Sequence, residues 1–312
     1  MSLPYFDKAQ VRAALPFDAA IAGMERALRG GVDPENDSPR LFSPAPGGEF
    51  LLMPTSATPR SGLKVVTIAP DNPAKGLEKI QGLYVLFDSD SLSPIALMDG
   101  TELTAVRTPA ATLTAVKHLT AADPDFPAAP KVLVFGAGVQ AVNHILAARS
   151  VYPDATFSVV GRTPSRVDDL IEALAAQDVE VSRARAEDAA RHDIILCVTS
   201  SPTPVFDGSL PPDHAVIASV GQHGLEAREV DATLVLRADV FVEGRESSWR
   251  ESGNLAQVRS ESEWREIAPP NIRELVTGEF TRELGRPALY TGVGMSWEDL
   301  ALAALVYDSA SA

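Results

Sequence analysis

Between Lys131 and Ser150 the chain reads KVLVFGAGVQAVNHILAARS. An apolar run meets Gly136 and Gly138, Ala141 takes a third small position, and a helical pattern follows. Small residues there let backbone come close to a ligand and leave first-turn N–H groups facing outward, which suits an anion. With strand, turn and helix all in place, Gly136, Gly138, Val139 and Gln140 read as a G-x-G-x-x-A cradle for a dinucleotide pyrophosphate; the alternative is a tight structural turn. About 20 residues on, NAD-specific versions carry an acid for the ribose 2′-hydroxyl. Here the second strand ends SVVGRTPSR and offers Arg162, Thr163 and Arg166 instead. Charge-assisted hydrogen bonds to a 2′-phosphate favour NADP, while NAD is still accommodated if Arg162 stacks on the adenine. Thr199 with Ser200, and Val220 with Gly221, close two later apolar runs at the carboxyl end of the expected sheet, where a cofactor crevice lies.

Three cations offer a second chemistry. Lys64 sits inside the apolar run GLKVVTIAP, Arg107 lies near a helix start, and Arg40 follows a Pro-rich loop. Singly, each reads as a solvated or snorkelling side chain. The histidines, His118, His144, His192, His214 and His223, have no metal-ligand spacing, and no acidic cluster forms a carboxylate cage, so no metal site is expected. Cys197, the single cysteine, falls inside the apolar IILCVT and reads as a core residue.

Composition limits what these groups can serve. The 312 residues, 45% of them hydrophobic, are enough for two domains. A net charge of -15 argues against a phosphate-backbone binder, so nucleic acid is not an expected partner. No intrachain disulfide can form, MSLPYFDKAQ lacks the apolar core of a secretory signal, and no apolar run approaches the ~18 residues of a membrane span. A soluble cytoplasmic protein is expected, with no membrane partner.

The elements that must position these residues follow from periodicity. The runs VLVF (132–135), TFSVV (156–160), IILCVT (194–199) and AVIASV (215–220) alternate with helical segments, VQAVNHILAARS and SRVDDLIEALAAQ among them. That alternation predicts an α/β fold, a Rossmann-type doubly wound parallel sheet over 122–291. Before the Pro-rich linker ADPDFPAAP (122–130), EFLLMP (49–54), GLKVVTIAP (62–70), LYVLFD (83–88) and PIALMDG (94–100) read as strands of a mostly antiparallel α+β unit. A helix is expected from about Leu103 to Leu119, with Pro109 either kinking it or standing in its first turn behind Thr108. Ser296 with Asp299 three residues on gives SWEDLALAALVYDSA a cap-like opening, and that helix is expected to return to the first domain. The domains are thus drawn as 1–121 with 292–312, to which the resemblance given below assigns substrate binding and dimerisation, and 122–291 for the dinucleotide.

The chain resembles the ornithine cyclodeaminase/mu-crystallin family through Arg40 with EFLLMPT, GLKVVTIAPDN, ALMDGTELTAVRTPAA, VLVFGAGVQA, VVGRT, VTSSPTPVF, SVGQHGLEAREVD, ESGNL and VGMSWEDLA. The resemblance implies a homodimer formed by the first domain, and it implies that Arg40, Lys64 and Arg107 hold a substrate carboxylate beside a nicotinamide. Burying a carboxylate without such partners costs several kcal/mol. Lys64, flanked by apolar residues and facing other cations, would also exchange a proton with an amine or imine nitrogen.

The family's chemistries include cyclodeamination of ornithine, dehydrogenation of amino acids and reduction of cyclic ketimines. This chain departs from the cyclodeaminase pattern at two places, having His223 where that pattern has an aspartate and Leu51 where it has a glutamate. Neither replacement offers a carboxylate to a second cationic amine. The expected reaction is therefore reduction of a small α-imino acid such as Δ1-pyrroline-2-carboxylate, or dehydrogenation of a small α-amino acid, with His223 as a further proton donor. Ornithine cyclodeamination and cofactor-dependent binding of a small ligand without turnover are the alternatives. Glu49 is expected to replace Leu51's missing carboxylate only if the strand slips in register.

Overall fold

The computed structural model describes residues 3–310. Contacts divide the chain into two compact units, Met1–Thr108 with Met295–Ala312, and Pro109–Gly294. The sequence reading drew its boundary at 121; the division lies earlier, inside a helix that runs unbroken over Gly100–Ala121.

Among the described residues, the first unit holds a six-stranded sheet of β1 (Tyr5–Phe6), β2 (Leu41–Ala45), β3 (Gly48–Ser56), β4 (Arg60–Ile68), β5 (Ile80–Asp88) and β6 (Pro94–Asp99). The order is β1-β6-β5-β4-β3-β2, with every neighbouring pair antiparallel except β1 with β6. Alternation along RSGLKVVTI places Gly62, Lys64 and Val66 on the buried face and Leu63, Val65 and Thr67 on the other. Helices Lys8–Ala14 and Phe17–Arg29 and the C-terminal helix Ser296–Ser309 belong to this unit, and the C-terminal helix packs on β3, β4, β5 and helix Phe17–Arg29. Lys64 therefore lies in a cross-strand row otherwise filled by Phe6, Met98, Tyr84 and Met53. It is 1% exposed, which overturns the solvated-edge reading.

Among the same described residues, the second unit holds a seven-stranded sheet of β7 (Lys131–Phe135), β8 (Thr156–Val160), β9 (Val181–Arg183), β10 (Ile194–Cys197), β11 (Val216–Ser219), β12 (Asp239–Val242) and β13 (Ala288–Thr291). Its order is β12-β13-β11-β10-β7-β8-β9, with every pairing parallel. IILC, VIAS and ALYT are buried at every position, as strands covered on both faces must be. The direction of winding reverses between β7 and β10, which makes their carboxyl ends the switch-point crevice of a doubly wound fold. Strands β9, β12 and β13 were not among the expected runs.

Two local expectations are corrected. The helix holding Arg107 begins at Gly100, so Pro109 stands well inside it rather than in its first turn. Its residues are buried around most of the circumference, and that packing holds a helix that a proline alone would tend to end. The C-terminal helix takes no side-chain cap from its own N-cap residue, Met295. Its first-turn Ser296 and Trp297 N–H groups instead donate to the carboxylate of Asp37, at 2.7 and 3.2 Å.

The Lys64 row also explains Gly62, because a Cβ there would stand 1.8 Å from the Tyr84 hydroxyl oxygen. Gly62→Ala is expected to displace a fully buried tyrosine and cost about 1–3 kcal/mol. A urea denaturation midpoint equal to that of the parent protein would show that the ring yields freely.

Candidate functional site

In the first unit, the covered face of the sheet carries a cluster of buried charge. Lys64 Nζ donates to Asp299 Oδ2 at 2.6 Å and to Thr104 Oγ1 at 3.3 Å. Arg107 Nη1 donates to Glu298 Oε2 at 2.6 Å, and its Nε lies 3.7 Å from Asp299 Oδ1. Glu298 and Asp299 are both fully buried. They project from the first turn of the C-terminal helix, toward β4 and toward the helix Gly100–Ala121. Arg40, half-buried just before β2, is close enough to repel the Lys64 ammonium.

Burial pulls the Lys64 ammonium down to about 8, with Arg107 and Arg40 adding to the shift and Asp299 opposing it. Asp37 is pushed up to about 7, chiefly by burial and further by Glu298 and Asp299, while the Ser296 and Trp297 N–H groups pull the other way. Tyr84 is pushed up by burial and by the negative charge of Asp299 and Asp37. Its hydroxyl has no hydrogen-bond partner among the described residues. A buried, unpartnered donor of this kind is costly unless a ligand or water completes it.

In the second unit, the loop after β7 could take a pyrophosphate. Gly136 has φ +131°, and a Cβ there would come within 2.9 Å of the Val198 carbonyl oxygen. Gly138 is the N-cap of helix Val139–Val151 with no side-chain cap, and a Cβ there would meet nothing within 4 Å. Open space before uncapped N–H groups, with Val139 67% exposed beside it, fits a dinucleotide. Arg162, Thr163 and Arg166 are exposed where β8 leads into helix Pro164–Ala175. Thr163 is that helix's N-cap, yet its hydroxyl makes no capping bond and stays available.

The ends of β10 and β11 are fastened by Glu229, which sequence reasoning passed over. This buried carboxylate accepts from the Thr199 N–H and Oγ1 at 2.6 and 2.7 Å, from Ser219 Oγ at 2.9 Å and from the Gly221 N–H at 2.8 Å. Burial pushes Glu229 up against the pull of those donors. Asn254 braces it by accepting from the Glu229 N–H at 2.9 Å and donating to Ser219 Oγ at 3.0 Å. VTSS, SVG, EVD and ESGN thus converge on one polar knot.

The expected site residues therefore fall into groups. Lys64, Arg107 and Arg40 come together. Leu51 shares their sheet face, buried with Met53 and Val66. Glu49 lies on that same face by simple alternation, so no slip of register is needed to bring it there. Thr199 and Gly221 meet at Glu229, the Val220 N–H donates to the Cys197 carbonyl, and Ser200 is exposed. Gln140 is half-buried and its carbonyl faces His144 Nδ1. His223 is exposed in the loop after β11. Asp299, Glu298, Asp37 and Tyr84 were missed, although WED was in view as the opening of a helix. No group of three or more His, Cys, Asp or Glu side chains among the described residues could hold a metal ion.

Comparison with known proteins adds a second line of observation. The family model described as the ornithine cyclodeaminase/mu-crystallin family matches residues 8–312. The chain is 29% identical over 315 residues to Delta(1)-pyrroline-2-carboxylate reductase 2 of Burkholderia ambifaria, covering 99% of this chain and 97% of that protein. It is 29% identical over 302 residues to the ketimine reductase mu-crystallin of Rattus norvegicus, covering 94% and 90%. The solved structure of Thermococcus litoralis Delta(1)-pyrroline-2-carboxylate reductase in complex with NADH and L-proline matches with a TM-score of 0.86 at 26% identity, covering 99% and 97%.

The elevated Asp37 carboxyl has a consequence for stability. Its ordinary value is 3.8 and its folded value about 7, so between those pH values the folded chain retains a proton that the unfolded chain has released. The contribution of Asp37 to stability therefore falls as pH rises from about 4 to about 7 and is level above. Asp37→Asn keeps an oxygen for the Ser296 and Trp297 N–H groups and removes the titration. Melting temperatures of the variant should show a shallower decline across that window, and a decline as steep as the parent's would contradict the assignment.

Proposed function

The chain belongs to the ornithine cyclodeaminase/mu-crystallin family, and from that premise we propose that it is an NAD(P)H-dependent oxidoreductase reducing a small cyclic imino acid, a ketimine such as Δ1-pyrroline-2-carboxylate. The observation that carries this reading is the buried Lys64 ammonium, held beside Arg107 and Arg40 and pulled down to about 8. A carboxylate is held by Arg40 and Arg107, because a planar guanidinium presents paired N–H donors that match its two oxygens. A bound nicotinamide supplies the hydride. Lys64 gives a proton to the imine nitrogen as the C=N bond becomes CH–NH, with His223 as the other proton source. Reduction of Δ1-pyrroline-2-carboxylate yields proline, the ligand named in the Thermococcus litoralis structure. Run in reverse on an open-chain substrate, the same groups would serve an amino-acid dehydrogenase.

Charge balance supports a ketimine over ornithine. Lys64, Arg107 and Arg40 face Asp299, Glu298 and Asp37, and those carboxylates are engaged with Lys64, Arg107 and a helix N-terminus. An imino carboxylate brings no second ammonium, whereas ornithine adds one that Leu51 and His223 do not meet. The cofactor reading rests on Gly136, Gly138, Val139, Gln140, Thr199, Ser200, Val220 and Gly221, with Arg162, Thr163 and Arg166 favouring NADP over NAD.

A homodimer fits the outer face of the first sheet. Two apolar rows lie there, Leu41-Leu52-Val65-Leu83 and Pro54-Leu63-Val85-Leu97-Tyr5, with Leu41, Leu83 and Tyr5 exposed. A face of that breadth needs a cover, and a second copy supplies an identical one. A cytoplasmic location suits a nicotinamide enzyme whose single cysteine is buried and free. No helix among the described residues is long and apolar enough to cross a membrane.

Mixing the protein with NADPH and Δ1-pyrroline-2-carboxylate should bleach the nicotinamide absorbance, with a lower KM for NADPH than for NADH. Lys64→Met should retain NADPH binding and lose at least about a hundredfold in kcat. Ammonia release from ornithine with catalytic NAD, in the absence of imine reduction, would reverse the assignment. If the parent protein binds proline and NADPH but turns nothing over, it is a binding protein instead.

A further inference from the structure

Lys64 is buried in an apolar row, and its proton is held by one carboxylate. An ammonium carries three N–H donors, and the structure gives Nζ two acceptors, Asp299 Oδ2 and Thr104 Oγ1. The third donor is left for a ligand atom. The other oxygen of the carboxylate, Asp299 Oδ1, has no hydrogen bond and lies 3.7 Å from Arg107 Nε. Asp299 is thus committed to Lys64 at one end and leans toward the second cation of the cluster at the other. The turn that carries it is fixed independently, because Asp37 accepts from Ser296 and Trp297, and Glu298 grips Arg107.

We propose that Asp299 is a positioning residue acting through Lys64: it fixes where the ammonium stands and keeps the proton on it until the imine nitrogen receives it. This rests on the reading of the chain as an imine reductase. Asp299 itself touches no reacting atom. The proton leaves Nζ for the imine nitrogen as hydride adds to carbon, and the neutral amine of Lys64 then regains a proton from solvent before the next turnover. The groups bearing on Nζ divide by sign and by element: Asp299 from the C-terminal helix, Arg40 from the segment before β2 and Arg107 from the helix Gly100–Ala121, with Tyr84 its cross-strand neighbour on β5. Burial, Arg107 and Arg40 drive the proton off; Asp299 holds it on, by its charge and by its hydrogen bond.

The test follows Lys64 directly and through turnover. The sequence has six lysines, so 13Cε-lysine NMR of the full chain resolves few signals, and the one absent from Lys64→Met is Lys64. In Asp299→Asn that signal should titrate at lower pH than in the parent by about one unit or more. The alkaline limb of kcat for NADPH and Δ1-pyrroline-2-carboxylate should move by the same amount in the same direction, with the dissociation constant for NADPH unchanged. Asp299→Glu keeps the charge and displaces it by a methylene, so it should keep the parent's alkaline limb and lose about tenfold or more in kcat.

An unmoved Lys64 titration in Asp299→Asn would overturn the proton-holding role, and full kcat in Asp299→Glu would overturn the positioning role. If Asp299→Asn does not fold, Asp299→Glu and the titration of the parent decide: a parent Lys64 titrating well below neutral would mean Asp299 fails to hold the proton. A parent protein that shows the NMR behaviour and reduces no imino acid would sink the reductase reading while leaving the Lys64–Asp299 coupling in place.

Discussion

An ammonium and a carboxylate 2.6 Å apart, with neither side chain reaching water, set the terms for the first unit. Desolvating either ion alone costs several kcal/mol, and their mutual attraction offsets that only if the geometry is held and the remaining donors are met. The surrounding elements do this. β4 delivers Lys64 by alternation in a row of Met53, Tyr84, Met98 and Phe6, and the C-terminal helix delivers Asp299 from a turn whose N–H groups are fixed by Asp37. Arg107 and Glu298 form a second pair beside the first. The result is a buried cluster in which Lys64 and Arg107 each have a carboxylate partner.

The second unit meets the same constraint with a different device. Glu229 is as buried as Asp299, yet it is satisfied by four donors from the ends of two parallel strands rather than by a cation. That arrangement fixes Thr199 and Gly221, which border the switch-point crevice, as firmly as a β-ladder would. It leaves the glycine loop before helix Val139–Val151 open for an anion. A buried carboxylate fastens the ends of β10 and β11, and a buried ion pair fastens β4 to the C-terminal helix.

Much of this was legible in the sequence, and the part that was not has a common cause. The apolar runs of β7, β8, β10 and β11 and the glycine turn between strand and helix are local patterns, so periodicity alone located the doubly wound sheet. β9 has three residues, and β12 and β13 hold apolar runs of only three, Val240–Val242 and Ala288–Tyr290, too short for periodicity to distinguish. Lys64 was visible as an anomaly, a cation in an apolar run, but its meaning depended on Asp299, 235 residues away. Asp299 read as part of a cap-like helix opening with Ser296, and acids at a helix N-terminus are commonly there for that reason. The actual cap, Asp37, lies 259 residues from Ser296 in a loop that reads only as Pro-rich. Long-range pairing of charges leaves no periodic trace, and no count of local propensities recovers it.

Lys64 and Asp299 compensate each other inside the fold, and a double-mutant cycle on stability measures that coupling. Lys64→Met and Asp299→Leu, made singly, should each cost about 3–5 kcal/mol in chemical denaturation because each strands the other charge. Made together, they should cost far less than the sum. Additivity within about 0.5 kcal/mol would mean that the two charges do not depend on each other.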